Sequence, residues 1–508
     1  MFTRRNVLKS ILALAVAPIY IFKSARAKTI FKNLFVTPPL DLGVRKGPDV
    51  YFNLNLQSGQ SAILPNVMTP TWGINQTFLG GTLRARKGDN VHINVTNDLP
   101  ETSTLHWHGV KLPAHADGGP HQPIQPSETW LSEYTIDQPA ATLWYHSHQL
   151  HKTGEQVYNG LAGMFIVDDE QSELLNLPSA YGVDDFPVII QDRDFNDDGS
   201  LNYLSRLDLE KGLRGVKGEV MLVNGVITPT LAVTKSLIRL RILNGSNARV
   251  YQLLFDDNRS FKVIASDGGL LEAPEVTQTI KLAPGERAEI VVDVIDGGMP
   301  QLLHRPGHDL MPNMKKLSII QKIGMAIFGN DEDVKSEFEI MQIDASKVTT
   351  SDASVPNQLT IHTDLSTHSI AMRRVMTLKM ESGSPLIFLS SAILGSRDLM
   401  TINDKSMDIN RIDERVKAGS VEVWEIRNKS RMLHPFHIHN VQFKIVSRLG
   451  GLHDHEKGFK DVVIVYPGER VEVIMKFPEF RDENTPYMYH CHILEHEDRG
   501  MMGQFVVV

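Results

Sequence analysis

One turn signature occurs three times along this chain, as Gln125-Pro126-Ser127-Glu128, Ala283-Pro284-Gly285-Glu286 and Tyr466-Pro467-Gly468-Glu469, and each copy leads into a strand-like run. A second repeated grammar accompanies it. Lys87-Gly88-Asp89-Asn90-Val91 leads to Asn97, Lys417-Ala418-Gly419-Ser420-Val421 leads to Asn428, and Ser236-Leu237 leads more weakly to Asn244. The runs Thr82–Arg86, Val91–Val95, Val421–Ile426 and Val471–Met475 alternate apolar and polar residues between Gly, Pro, Asn and Asp, as half-buried strands do. Equivalent turns in three copies of one β-sandwich follow, giving an all-β chain of three units. The expected boundaries are residues 28–168, 180–322 and 356–508, with a polar, acidic connection at 323–355 that includes Asn330-Asp331-Glu332-Asp333. The Met299–Met325 stretch carries little strand pattern and reads as a long loop or an added helix.

The first residues stand apart. Thr3-Arg4-Arg5-Asn6-Val7-Leu8-Lys9, an apolar run from Ile11 to Phe22, and Ala25-Arg26-Ala27 read as a cleaved twin-arginine signal over residues 1–27, hence export to the periplasm. The run is too short to serve as a stable membrane anchor. A net charge of −8 gives no basic footprint for nucleic acid. With 1 Cys there is no intramolecular disulfide, so the thiol is either incidental or reserved for chemistry.

That cysteine lies in His490-Cys491-His492-Ile493-Leu494-Glu495-His496, followed by Met501. On an extended segment Cys491 points one way, while His490 and His492 point the other, roughly 6.6 Å apart. One stretch could therefore serve two metal sites on opposite faces. Three further clusters, His106-Trp107-His108, His146-Ser147-His148 and His434-Pro435-Phe436-His437-Ile438-His439, bring the total to ten of the chain's 20 histidines. Four His-x-His pairs, with His490 and His492 as one, supply eight imidazoles, enough for a three-copper cluster with open positions for oxygen. His434, Cys491, His496 and Met501 remain. A thiolate, two imidazoles and a weak thioether form the ligand set of an electron-transfer copper, with Met502 an alternative to Met501 that spacing leaves open. The Cys491 backbone would then link the two sites covalently.

These four motifs make the chain resemble a bacterial three-domain multicopper oxidase of the laccase and cuprous-oxidase type, over its whole mature length. The resemblance implies three cupredoxin-like Greek-key β-sandwich domains and four copper ions. It implies a type 1 copper in the third domain, a type 2 copper on His106 and His437, and a type 3 pair on His108, His146, His148, His439, His490 and His492. It also implies four one-electron oxidations of substrate coupled to reduction of dioxygen to two waters. Read alone, Asp117 and Glu497 are solvated carboxylates; the resemblance makes them acids that relay protons to the cluster.

The substrate is less legible. Met432, two residues before His434, is a soft ligand for Cu(I), but Ser430 and Arg431 stand where a carboxylate would help. The methionine-rich insert of cuprous oxidases is missing, since Glu381 to Thr401 holds only Met400. Met299, Met311, Met314 and Met325 with His304 and His308 form a looser group, which reads first as loop or core residues. The expectation is an oxidase of Cu(I), and of Fe(II) or phenols, in copper tolerance, acting as a monomer. A phenol-oxidising laccase and a copper-free cupredoxin scaffold protein of cell division are the alternatives.

Overall fold

In each of the three turn signatures the third residue takes a positive φ, 68° at Ser127, 82° at Gly285 and 74° at Gly468. Proline ahead of that position presets the turn. Its backbone N–H then donates to the carbonyl of the asparagine that ends the other repeat: Ser127 to Asn97 at 2.7 Å, Gly285 to Asn244 at 2.9 Å and Gly468 to Asn428 at 3.0 Å. The asparagine side chains complete the lock, with Nδ2 donating to the carbonyls of Ile124, Leu282 and Val465 at 2.8, 2.9 and 2.8 Å. Even the glutamates repeat, since Glu128, Glu286 and Glu469 accept from the N–H of Gln125, Ala283 and Tyr466. The two sequence repeats are thus two halves of one structural lock, made three times.

The computed structural model describes residues 31, 33–204, 209–306, 337–380 and 400–508. These residues form six sheets. Strands between Leu40 and Asp168 make one five-stranded and one six-stranded sheet. Those between Asp185 and Asp344 make sheets of seven and five strands, and those between Ile370 and Val507 make two of five. This is the all-β, cupredoxin-like architecture expected. Thr82–Arg86, Asn90–Asn97, Val421–Asn428 and Arg470–Lys476 are all strands, and along Asn90–Asn97 alternate residues are buried. That alternation puts Val91, Ile93 and Val95 in the core.

The strand Phe338–Asp344 falls inside the expected connection at 323–355. It pairs with Gln301–His304 and Thr230–Ala232, so it belongs to the second pair of sheets, past the expected end at residue 322. Phe338, Ile340, Met341 and Ile343 are buried there; the acidic run upstream masked a short apolar strand. In the Met299–Met325 stretch, Gln301–His304 is a strand rather than loop or helix, and residues 307–325 lie outside the described residues. Residues 1–27, with the signal reading, also lie outside them. Among the described residues no helix is long and apolar enough to cross a membrane.

Two sheets deliver the histidines. His106–His108 runs antiparallel to Ala141–His146, with His106 opposite His146. His434–Ile438 runs antiparallel to Asp482–Cys491, with Phe436 opposite Cys491 and His437 opposite His490. The first and third sandwiches share one apolar core containing Trp107, Leu143, Phe436 and Cys491. A smaller cluster, with Trp144, Met164, Ile189 and Leu243, joins the first sandwich to the second.

Candidate metal centre

Cys491 is fully buried at the end of its strand, where His434 from the neighbouring strand and His496 from the short helix Leu494–Asp498 meet it. His434 Nδ1 lies 3.3 Å and His496 Nδ1 3.5 Å from Cys491 Sγ, and the two nitrogens are 3.3 Å apart. The outer nitrogens are held away from the thiol. His496 Nε2 donates to the Leu213 carbonyl at 2.9 Å, and His434 Nε2 sits 2.6 Å from Ser430 Oγ. With Nδ1 as the ligand atom, His434 Nε2 carries the hydrogen and donates to Ser430. The serine hydroxyl then has Asn428 Oδ1 and the Met432 carbonyl as acceptors, at 2.8 and 3.0 Å. The third lock of the fold therefore orients a candidate ligand.

His490 stands opposite Met502, so strand alternation sets Met501 on the Cys491 face. Both methionines are buried. The Met501 backbone closes the loop, accepting from Cys491 N–H at 3.0 Å and donating to the His496 carbonyl at 2.9 Å. Burial pushes the Cys491 thiol well above its usual range, so only a bound cation would make a thiolate there.

On the opposite face of the same strand, the other eight histidines converge. Three groups have ligand atoms within 4.8 Å of one another: His106, His108 and His437; His108, His146 and His492; and His148, His439 and His490. The rings interlock, with His106 stacked on His439 at 3.9 Å and His108 on His437 at 3.8 Å. Burial lowers the pKa of His108, His146, His437 and His439 far below the normal imidazole range, takes His148 to about 4 and His492 to about 3. These rings are neutral near pH 7, the state in which imidazole binds metal. Nε2 of His106, His146 and His437, Nδ1 of His108 and both nitrogens of His492 are buried without a hydrogen-bond partner. Buried polar atoms left open in this way are rare, and a set of them pointing together fits bound metal. The thiol, two imidazoles and eight further imidazoles are a donor set that copper satisfies.

Asp117 and Glu497 are buried beside these rings, not solvated as the sequence alone suggests. Asp117 Oδ2 accepts from His439 Nδ1 at 2.8 Å, and its carbonyl accepts from His106 Nδ1 at 2.9 Å. Glu497 lies 3.2 Å from His148 Nδ1 and 3.1 Å from His490 Nδ1. Burial pushes its carboxyl up, but the neighbouring His148 and His490 outweigh that and hold it well below the usual range.

Met432 is half-buried on the loop before His434, where its backbone serves the asparagine lock. His304 and Met299 do not join a site: His304 stacks on Phe338 in the second sandwich, and Met299 is exposed. Asp461 escaped the sequence reading. Its carboxylate is 3.0 Å from His108 Nε2 and its carbonyl accepts from His437 Nδ1 at 2.7 Å. No histidine flanks it; only the pairing of His434–Ile438 with Val462–Val465 could have pointed to it.

Comparison with known proteins agrees with this geometry. Three multicopper oxidase family models match residues 55–172, 184–298 and 374–508. The multicopper oxidase mco of Staphylococcus aureus is 37% identical over 481 residues, covering 93% of this chain and 92% of that protein. The cell division protein FtsP of Escherichia coli is 35% identical over 471 residues, covering 92% of each. The crystal structure of a laccase from Pediococcus acidilactici superposes with a TM-score of 0.79 at 33% identity, over 95% of each chain. With eight converging imidazoles and a thiol between two more, the chain is an oxidoreductase that belongs to the multicopper oxidase family.

Proposed function

We propose that the chain holds four copper ions and couples four one-electron oxidations of a reducing substrate to reduction of dioxygen to two waters. In this reading His434, Cys491, His496 and Met501 hold the type 1 ion, His106 and His437 the type 2 ion, and His108, His146, His148, His439, His490 and His492 the type 3 pair. The observation that carries it is the strand end at Cys491, with a trigonal Cys–His–His set on one face and eight imidazoles on the other. Copper so bound supplies electron capture at the thiolate and four-electron reduction of dioxygen at the cluster.

The chain's own groups do the rest. Cys491 is covalently continuous with His490 and His492, which gives electrons a route through bonds rather than space. Asp117 accepts from the ring N–H of His439, Glu497 lies within 3.2 Å of the His148 and His490 rings, and as buried carboxyls beside the place where oxygen is reduced both relay the protons that water formation consumes. The apolar core around Cys491 keeps solvent from its thiolate.

Substrate reaches electron transfer at the His434 edge, where Ser430 and Met432 lie. Met432 supplies a soft sulfur for Cu(I), and a role in copper tolerance, in the periplasm after twin-arginine export, follows from that assignment. Phenol oxidation is the second reading, favoured by Ser430 standing beside His434 where a carboxylate would draw a metal cation. A copper-free scaffold role, which likeness to a cell division protein brings to mind, would leave the open buried nitrogens without purpose. Oxygen uptake with Cu(I), Fe(II) and a phenol, on wild type and Met432→Ala, separates these readings. Loss confined to Cu(I) supports the metallo-oxidase, and equal losses on all three count against it.

A further inference from the structure

Six of the eight cluster histidines have Nδ1 against a carbonyl or carboxylate and turn Nε2 the other way: His106, His146, His148, His437, His439 and His490. His108 is reversed. Its Nε2 is held by Asp461 Oδ1 at 3.0 Å, and its Nδ1 is the atom left open. His108 also stacks at 3.8 Å on His437, which the Asp461 carbonyl holds by the other nitrogen. One residue thus sets two stacked rings in opposite senses.

What holds Asp461 comes from the second sandwich, which contributes no candidate ligand among the described residues. Arg287 opens the strand Arg287–Asp293, directly after the second turn signature. Its guanidinium grips Asp461 with both terminal nitrogens at 2.6 Å. Its remaining N–H groups go to the carbonyls of Thr142, Gly285 and Asp267, each at 3.0 Å, so all five donors are used. The acceptors lie on all three sandwiches, and Arg287 and Asp461 are both fully buried. A planar fork with every donor engaged cannot swing, and a carboxylate held bidentately cannot rotate. The same turn reaches the cluster a second way: a Cβ on Gly285 would stand 2.9 Å from His492 Nε2.

We infer that Arg287 is a positioning residue for the cluster: by clamping Asp461 it fixes the reversed orientation of His108, and so which ring nitrogen faces the metal. The inference rests on the reading that these histidines hold copper. Outer partners of this kind orient ligating imidazoles, and their loss typically costs about 10–100-fold in metal affinity. A purely structural ion pair would instead affect stability alone, and Arg241 provides that comparison. It grips Asp185 bidentately at 2.8 and 2.9 Å in the same inter-sandwich region, where it also bonds Thr142 and Glu289.

Arg287→Lys keeps the charge and loses the fork; Arg241→Lys makes the same change in the comparison pair. Wild type and both variants are loaded with copper, and copper per chain, the thiolate absorption and the electron paramagnetic resonance of the non-blue copper are measured. The clamp predicts that Arg287→Lys keeps the thiolate absorption, loses at least half of the cluster copper or shifts its hyperfine splitting, and that Arg241→Lys matches wild type. A wild-type stoichiometry and spectrum in Arg287→Lys overturns it. So does an equal cluster loss in Arg241→Lys, or joint loss of thiolate and cluster signals, each of which marks general packing. A wild type that takes up no copper overturns the oxidase reading and this one with it, whereas a copper-loaded wild type with any of those contrary results in the variants overturns the clamp alone.

Discussion

At the scale of single residues, acids and hydroxyls around the imidazoles divide the labour. Asp117 touches two of them and stands beside the cluster, so Asp117→Asn keeps the shape and removes the proton. Steady-state oxygen uptake should fall about 100-fold, the lower end of general acid–base contributions, with copper content unchanged. Unchanged turnover would remove Asp117 from the proton route. Ser430 offers His434 a neutral partner. Ser430→Asp puts an anion there, and an attraction of about 1 kcal/mol on an arriving cation should raise kcat/KM for Cu(I) about fivefold while leaving a neutral phenol unaffected. The candidate ligands were legible because His-x-His on an extended segment sets both rings on one face. Asp461 was not, because it reaches His108 from a residue 353 positions away and carries no local signature.

At the scale of elements, the thrice-repeated lock of turn, asparagine and glutamate explains why three units were visible in the sequence: its parts are residues whose φ or side-chain amide the geometry requires. The strand Phe338–Asp344 was invisible for the opposite reason, since neither repeat marks it and an acidic run precedes it. Between elements, the strands Leu237–Asn244 and Arg287–Asp293 carry Arg239, Arg241 and Glu289, which bind one another in a buried network with Thr142 of the first sandwich. Burial pushes the Glu289 carboxyl up, but Arg239 and Arg241 outweigh it and bring it to about 2. A depressed carboxyl stabilises the fold above its unfolded value and stops doing so as pH falls towards its folded value. The network should therefore contribute about 3 kcal/mol near pH 7, lost between about pH 5 and pH 2. Chemical denaturation across that window should show a smaller slope with pH in Glu289→Gln than in wild type; identical slopes would contradict the assignment.

At the scale of the molecule, the first and third sandwiches bring the candidate ligands to one core, and the second closes it with a turn and an arginine. Metal that binds this shared site and not the unfolded chain must stabilise the assembly by mass action. Stripping copper with a chelator should lower the melting temperature by several degrees, and adding copper back should restore it; equal values for both forms would argue against a cluster held between sandwiches. The central claim is that Cys491 joins two separate copper sites. Its most direct test is copper per chain with the visible and electron paramagnetic resonance spectra of wild type and Cys491→Ser. Two copper sites joined at Cys491 give four ions and a blue thiolate band in wild type, then loss of that band in Cys491→Ser with the cluster copper largely retained. A blue band that survives the substitution, or cluster copper that leaves with it, would contradict it.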